Sequence, residues 1–332
     1  MSDYQNAIEI NGLTKRYDGF TLDNVSFCVP VGSIMGFIGQ NGAGKSTTIK
    51  AILNIIGVDG GEIKMLGKDN IKDECEIKSQ IAAVFDELPF CDKFNAEQIN
   101  TLFGGLYKTW DSKKYFGYIE HFGLPRKKKL KDFSKGMKMK LQIATALSHG
   151  AKLLIMDEAT TGLDPVVRNE ILDIFRDYLQ DETNSILMSS HITSDLEKIA
   201  DCVTFIDKGK ILLTSVKDEI PEKHGVIKCR KEELSEIAKE DFISARISDF
   251  GAEVMVSDRE ACRKKYPSLL IEKTTLEEIM LFYVNRGIAR NMPVSDGESV
   301  QKEGEIMRGL LYNQLQTFRF PLFCIFVMQL FF

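Results

Sequence analysis

With 332 residues, 44% of them hydrophobic, the chain is long enough for a main domain of about 200 residues and a smaller companion. Its formal net charge of -5 gives no electrostatic reason to expect a nucleic-acid partner. Seven cysteines, at 28, 75, 91, 202, 229, 262 and 324, form no C-x-x-C pair, and four scattered histidines show no metal-ligand spacing. The cysteines read as reduced thiols of a cytosolic protein, and nothing points to a zinc-type centre. Residues 1–30 hold no unbroken apolar core, so no secretory leader is expected there.

Residues 7–10 and 25–29 are predicted as short strands around a polar turn. The apolar strand Ile34–Ile38 then runs into Gly39-Gln40-Asn41-Gly42-Ala43-Gly44-Lys45-Ser46-Thr47, a G-x-x-x-x-G-K-S/T loop, followed by a helix over about 45–56. A glycine-rich turn after a strand points backbone N–H groups at a phosphate chain, and the helix adds the positive end of its dipole. Lys45 is expected to reach the β- and γ-phosphates of a nucleoside triphosphate, and Ser46 to place its hydroxyl on Mg2+. Gly42 and Gly44 are expected to let the backbone approach where a Cβ would clash.

Gly60 and Gly61 mark a turn, residues 81–85 a buried strand and 97–121 a helical pattern. The run Arg126-Lys127-Lys128-Lys129-Leu130-Lys131 reads as a solvated loop beside a nucleotide site. It leads to a helix after Ser134, a natural N-cap, so that Gly136 and its neighbours offer N–H groups and a dipole to an anion. The near-continuous apolar runs Leu153-Leu154-Ile155-Met156 and Ser185-Ile186-Leu187-Met188 suit strands buried on both faces of a parallel sheet, covered by helices over 167–180 and 194–199. The first run ends in Asp157-Glu158. Asp157 is expected to hold the metal through water, and Glu158 to polarise the attacking water toward the γ-phosphate. Gly162-Leu163-Asp164-Pro165 follows, and Ser189-Ser190-His191 ends the next strand. His191 is either placed to touch a γ-phosphate or is a buried histidine satisfied by backbone. A hairpin over 201–213 closes the first domain. Beyond it, strands at Gly225–Cys229, 243–247, 253–256 and 269–271 mix with helices at 232–239 and 275–284 and carry no evident site chemistry.

Assembled, these motifs resemble the ATP-binding subunit of an ATP-binding-cassette transporter over residues 1 to about 285. The resemblance implies an α/β fold: a P-loop nucleoside triphosphatase core over 1–213 with an antiparallel β subdomain and a helical subdomain at about 88–145. A small C-terminal α/β appendage follows over 214–286. The cofactors implied are ATP and Mg2+. Tyr17, in Thr14-Lys15-Arg16-Tyr17, sits where the family stacks a ring on adenine, Phe133-Ser134-Lys135-Gly136-Met137 is its signature, Gly162-Leu163-Asp164 meets the partner subunit, and His191 is the switch histidine. In such proteins the signature of one subunit completes the site of the other, in a homodimer or with another cassette subunit. ATP hydrolysis then drives a transporter membrane subunit from the cytoplasmic face of the cell membrane. Details of the signature and of the segments after 224 and 274 resemble bacterial antibiotic-resistance and multidrug exporter subunits.

The chain departs from the family pattern in two places, the signature and the end of the strand over 81–85. The usual signature is Leu-Ser-Gly-Gly-Gln, so Lys135 and Met137 are substitutions; Ser134 and Gly136 keep the phosphate-facing donors, and Lys135 adds a cation. Asp86 stands where the family has a glutamine that couples metal to the membrane partner, and its carboxylate is expected to approach Mg2+. Residues 291–305 are polar and 318–332 are apolar but shorter than the roughly 20 residues of a membrane span. Residues 287–332 are expected to be a linker and the truncated start of a membrane subunit joined by read-through or frameshift, or else a peripheral anchor. Two other functions compete with the transporter motor: a soluble cassette ATPase acting on ribosomes or DNA, and a nucleotide-dependent regulatory module with little turnover.

Overall fold

The computed structural model describes residues 4–284, and the expected linker and membrane-subunit start over 287–332 lies outside them. β1 (Asn6–Tyr17) and β2 (Phe20–Pro30) form one long antiparallel hairpin, registered from Asn6 opposite Pro30 to Tyr17 opposite Phe20. The two short strands predicted around a polar turn are therefore the far ends of this hairpin. Leu13, Leu22 and Val25, between them, are buried and carry the pairing to its tip. β3 (Ile34–Ile38), buried at every residue, runs through residues 39–44 into α1 (Lys45–Ile52). α1 stops short of 56 because Asn54 turns left-handed, with φ 54°, and its side chain donates to Glu74 at 3.1 Å.

β4 (Gly60–Met65) and β5 (Lys68–Asp69) extend the first sheet in the order β2-β1-β4-β5. Gly60 and Gly61 thus open a strand instead of making a turn: Gly61 passes so close to β1 that a Cβ would lie 2.5 Å from the Gly12 carbonyl. α2 (Glu74–Lys78) precedes β6 (Ile81–Phe85). The single helical pattern over 97–121 is two helices, α3 (Ala96–Leu106) and α4 (Ser112–His121). They break because Asp111 caps α4, accepting from the Lys114 N–H at 2.9 Å, while the Trp110 indole folds back to donate to Asn100 at 2.9 Å. The exposed lysine run between α4 and α5 (Lys135–Ala146) is tied down where the Leu130 N–H donates to the Phe94 carbonyl at 2.9 Å.

β7 (Leu153–Asp157), α6 (Pro165–Tyr178), β8 (Ser185–Ser190), α7 (Thr193–Ile199), β9 (Cys202–Asp207) and β10 (Lys210–Val216) complete the main sheet. Its order is β10-β9-β3-β8-β7-β6, parallel except for the β9-β10 hairpin, which runs three residues beyond its predicted end. β7 and β8 are buried at every residue, as strands covered on both faces must be. Register sets Phe85, Asp157 and Ser189 side by side, with Ser190 beside Ile38. The C-terminal ends of β6, β7, β8 and β3 therefore form one level edge, and the site lies along it.

α8 (Glu219–Lys223) leads into an antiparallel sheet of β11 (Gly225–Cys229), β12 (Phe242–Ser248), β13 (Gly251–Val256) and β14 (Leu270–Glu272), in the order β12-β13-β11-β14. The helix predicted over 232–239 is a shorter 3-10 turn, Glu232–Glu236, tightened where Glu233 accepts from the Arg230 N–H at 2.8 Å. Sequence reasoning missed α9 (Arg259–Lys265), which Asp258 caps. Ile227, Val254 and Ile271 form a local core, while Val226, Met255 and α10 (Leu276–Val284) continue into the core of the main sheet.

His149 follows α5 with its ring buried and stacked on Tyr107, centroids 4.3 Å apart. Burial pushes its pKa down from 6.5 to about 4. The unfolded chain takes up this proton near 6.5 and the folded chain does not until about 4, so stability is full above that window and falls as pH drops through it. Going from about pH 7.5 to about pH 5, the protein is expected to lose about 2 kcal/mol more stability than a His149→Phe variant. Urea midpoints of the two proteins at the two pH values check this; equal losses would refute it.

Candidate active site

The sharp turn after β3 has its shape set by glycine. Gly44 is the N-cap of α1 with φ 113°, and a Cβ there would lie 2.7 Å from Leu22 Cδ2. At Gly42 the reason differs from the expected clash: nothing lies within 4 Å of a Cβ position, and the requirement is its left-handed φ of 80°. No side chain caps α1 and no acid occupies its first turn, so the positive end of the helix is left facing the loop. Gln40 and Asn41 are exposed at the tip, Gly39 and Ala43 are buried, and Ser46 and Thr47 are half-buried.

Lys45 points inward and is 5% exposed. Its ammonium donates to the carbonyls of Gly39 at 2.7 Å and Gln40 at 3.3 Å, and pairs with Glu158 Oε1 at 3.0 Å. A cluster of oxygens around one buried ammonium, next to an uncapped helix end and open space at Gly42, fits a phosphate chain.

Asp157 and Glu158 lie where β7 ends. Asp157 Oδ1 accepts from the Ser189 hydroxyl at 2.7 Å, and that same hydroxyl oxygen accepts from the Glu158 N–H at 3.1 Å. One serine of β8 thus fixes both acids. Glu158 sits at φ 56°, a left-handed kink that turns its side chain back along the strand edge. Its Oε2 accepts from the Thr161 hydroxyl at 2.7 Å and lies 2.7 Å from His191 Nδ1. Burial pushes the Glu158 carboxyl up, but Thr161, Lys45 and His191 together outweigh it and hold the group below its ordinary value. Glu158 is therefore ionised at neutral pH. His191 is half-exposed and bound to a side chain, which rules out the alternative of a buried, backbone-satisfied histidine.

The other predicted residues make contacts of their own around this centre, Asp86 directly after Phe85, which pairs with Asp157. Ser134 caps α5, accepting from the Met137 N–H at 3.2 Å, and a Cβ at Gly136 would meet only the Ser134 hydroxyl, at 4.0 Å. Lys135 pairs with Asp86 of the same chain, Nζ to Oδ1 2.5 Å. Tyr17 is exposed at the end of β1, with the Lys15 ammonium 5.5 Å from its ring centre. Among the described residues no hydrogen bond or ion pair joins 134–136 to Lys45, Asp157, Glu158 or His191. Sequence reasoning did not identify Ser189, Thr161 or Gln142 as site residues. The Gln142 amide binds the Phe85 backbone on both sides, at 3.2 Å and 3.0 Å, fastening α5 to the end of β6. The serine pair ahead of His191 was the one available signal for Ser189.

A family model described as ABC transporter matches residues 22–161. The chain is 35% identical to the bacitracin transport ATP-binding protein BcrA of Bacillus licheniformis, over 65% of this chain and 70% of that one. It is 31% identical to the daunorubicin/doxorubicin resistance ATP-binding protein DrrA of Streptomyces peucetius, over 66% of this chain and 68% of the relative. A solved ATP-binding subunit of an ABC transporter superposes with a TM-score of 0.60 at 26% identity, covering 65% of this chain and 92% of that chain. This chain belongs to the ABC transporter ATP-binding proteins. It is a transport-coupled ATPase that works with a membrane partner.

In this ABC ATPase, Ser189 is the hinge of the acid pair. Ser189→Ala removes the donor to Asp157 and the acceptor of the Glu158 N–H, and is expected to slow ATP turnover about tenfold, or roughly 1.4 kcal/mol. Phosphate release assays read the rate, with far-UV circular dichroism as the check on folding; wild-type turnover in a folded variant would remove Ser189 from that role.

Proposed function

We propose that two cassettes face each other around two ATP molecules and that closing this sandwich drives export through the membrane subunit from the cytoplasmic face of the membrane. The observation that carries the reading is the Lys45–Glu158 pair. A buried lysine of the glycine loop is neutralised by the one carboxylate that also holds His191, at the common edge of the parallel strands. The roles for which the two relatives are named, bacitracin transport and daunorubicin/doxorubicin resistance, support the export direction.

When bound, ATP supplies the phosphoanhydride bond to be cleaved and Mg2+ shields its charge. Lys45 exchanges Glu158 for a phosphate oxygen, backbone groups of 39–47 line the phosphate chain, and Tyr17 offers a stacking face to adenine. Ser46 and Asp157 would hold the metal, with Asp86 near it. Among the described residues no set of three His, Cys, Asp or Glu converges to hold an ion unaided. That suits Mg2+, which takes one or two carboxylates and fills its octahedron from phosphate and water. Glu158, released from Lys45, accepts the proton of the attacking water, while His191 orients it and reaches the terminal phosphate. Ser134, Lys135 and Gly136 act in trans on the nucleotide of the facing copy; among the described residues no hydrogen bond or ion pair joins them to Lys45 of their own chain.

Glu158→Gln keeps the size of the side chain and removes the base. It is expected to lower turnover at least about a hundredfold and to leave an ATP-bound pair of cassettes detectable by light scattering. A variant as fast as wild type would take the base role from Glu158. Failure of the affinity-tagged cassette to retain an integral membrane protein from its own membranes would count against the motor reading.

A further inference from the structure

Two of the residues that depart from the family pattern meet each other. The resemblance puts Lys135 where the family signature has a glycine and Asp86 where the family has a glutamine, and the ion pair between them is 2.5 Å long. Local chemistry favours neither. A lysine in the first turn of α5 opposes the positive end of the helix, and that turn contains no acid. Lys138 and Lys140 add two more cations just beyond it.

Each of these ammonium groups is answered from another part of the chain: Lys138 by Asp92 at 3.6 Å, Lys140 by Glu170 of α6 at 2.8 Å, and Lys135 by Asp86. Lys135 differs in what it lies across. A Cβ on Gly162, in the loop after Glu158, would come 3.3 Å from Lys135 Nζ and 3.7 Å from its Cδ. One side chain therefore touches the end of β6, the start of α5 and the loop that follows the acid pair. Beneath it, the buried Gln142 amide holds α5 and Phe85 together, so the backbones on either side of the pair are fixed. The pair itself is 45% and 46% exposed and opens without breaking that framework.

We propose that Asp86 is an internal stand-in for phosphate: it clasps Lys135 while the cassette is alone, and Lys135 leaves it for the nucleotide of a facing copy when two cassettes engage. The inference rests on the two-copy reading and extends it. Opening the clasp frees Asp86 beside its own metal site at the moment its signature is engaged elsewhere. The state of one site is thereby passed to the other through a single exchanged cation.

The test uses the full chain. In nucleotide-free protein, Asp86→Asn is expected to speed acetylation of Lys135 by acetic anhydride about twofold to fivefold, the range an exposed ion pair allows, read by mass spectrometry against Lys138 as internal standard. Unchanged Lys135 reactivity overturns the clasp whatever assembly does. In a Glu158→Gln background at saturating Mg2+, light scattering then gives the ATP concentration for half-assembly. Asp86→Asn is expected to lower it about twofold to fivefold when Lys135 is present and to leave it unchanged alongside Lys135→Gln. An equal shift in both backgrounds would mean that Asp86 acts through the metal alone, and the proposal fails. If Lys135 reactivity rises but no variant assembles at any ATP concentration, the clasp exists and the exchange, with the two-copy reading, falls.

Discussion

The buried ammonium of Lys45 sets the conditions for everything around it. At 5% exposure it cannot remain unpaired, so the carbonyls of Gly39 and Gln40 and the carboxylate of Glu158 must be held against it. Two of these oxygens come from the turn after β3 and the third from the turn after β7, two strands away across β8. The three meet only if the strands lie parallel with level ends, which is the register observed. Removing one partner of such a buried pair costs about 3–5 kcal/mol, so the arrangement of the sheet and that of the site stand together.

Two ion pairs stand at or beside the site. Lys45 of the glycine loop and Lys135 at the start of α5 are each neutralised by a carboxylate of the same chain, Lys45 by Glu158 and Lys135 by Asp86. The two pairs differ in their surroundings. Thr161 and His191 brace Glu158 inside the site, while the Lys135–Asp86 pair is nearly half-exposed over the rigid Gln142–Phe85 contact. Water screens the second pair more than the first, so the outer pair opens more readily.

Much of the site was readable from local chemistry. A strand, six loop residues and a helix N-terminus make an anion cradle wherever they occur, and an apolar run closed by Asp157-Glu158 has few other uses. Ser134 was legible as a cap because its role is settled within three residues. The long β1-β2 hairpin and the break between α3 and α4 were not legible. The first depends on a register carried through the buried residues Leu13, Leu22 and Val25, the second on Trp110 reaching back to Asn100.

Side-chain type and short-range spacing already carried the phosphate loop, the acid pair, the Ser134 cap and the buried strands, because each follows from backbone geometry over a few consecutive residues; the signature came from resemblance to a family. The partners of the charges came from the folded chain alone. Ser189 bridges two acids from the neighbouring strand, Gln142 grips Phe85 from a helix, and Lys135 finds Asp86 across the end of β6. A charged or amide group fixes what kind of partner it needs. Which distant group supplies it depends on the crossover connections that bring separate strand ends to one edge.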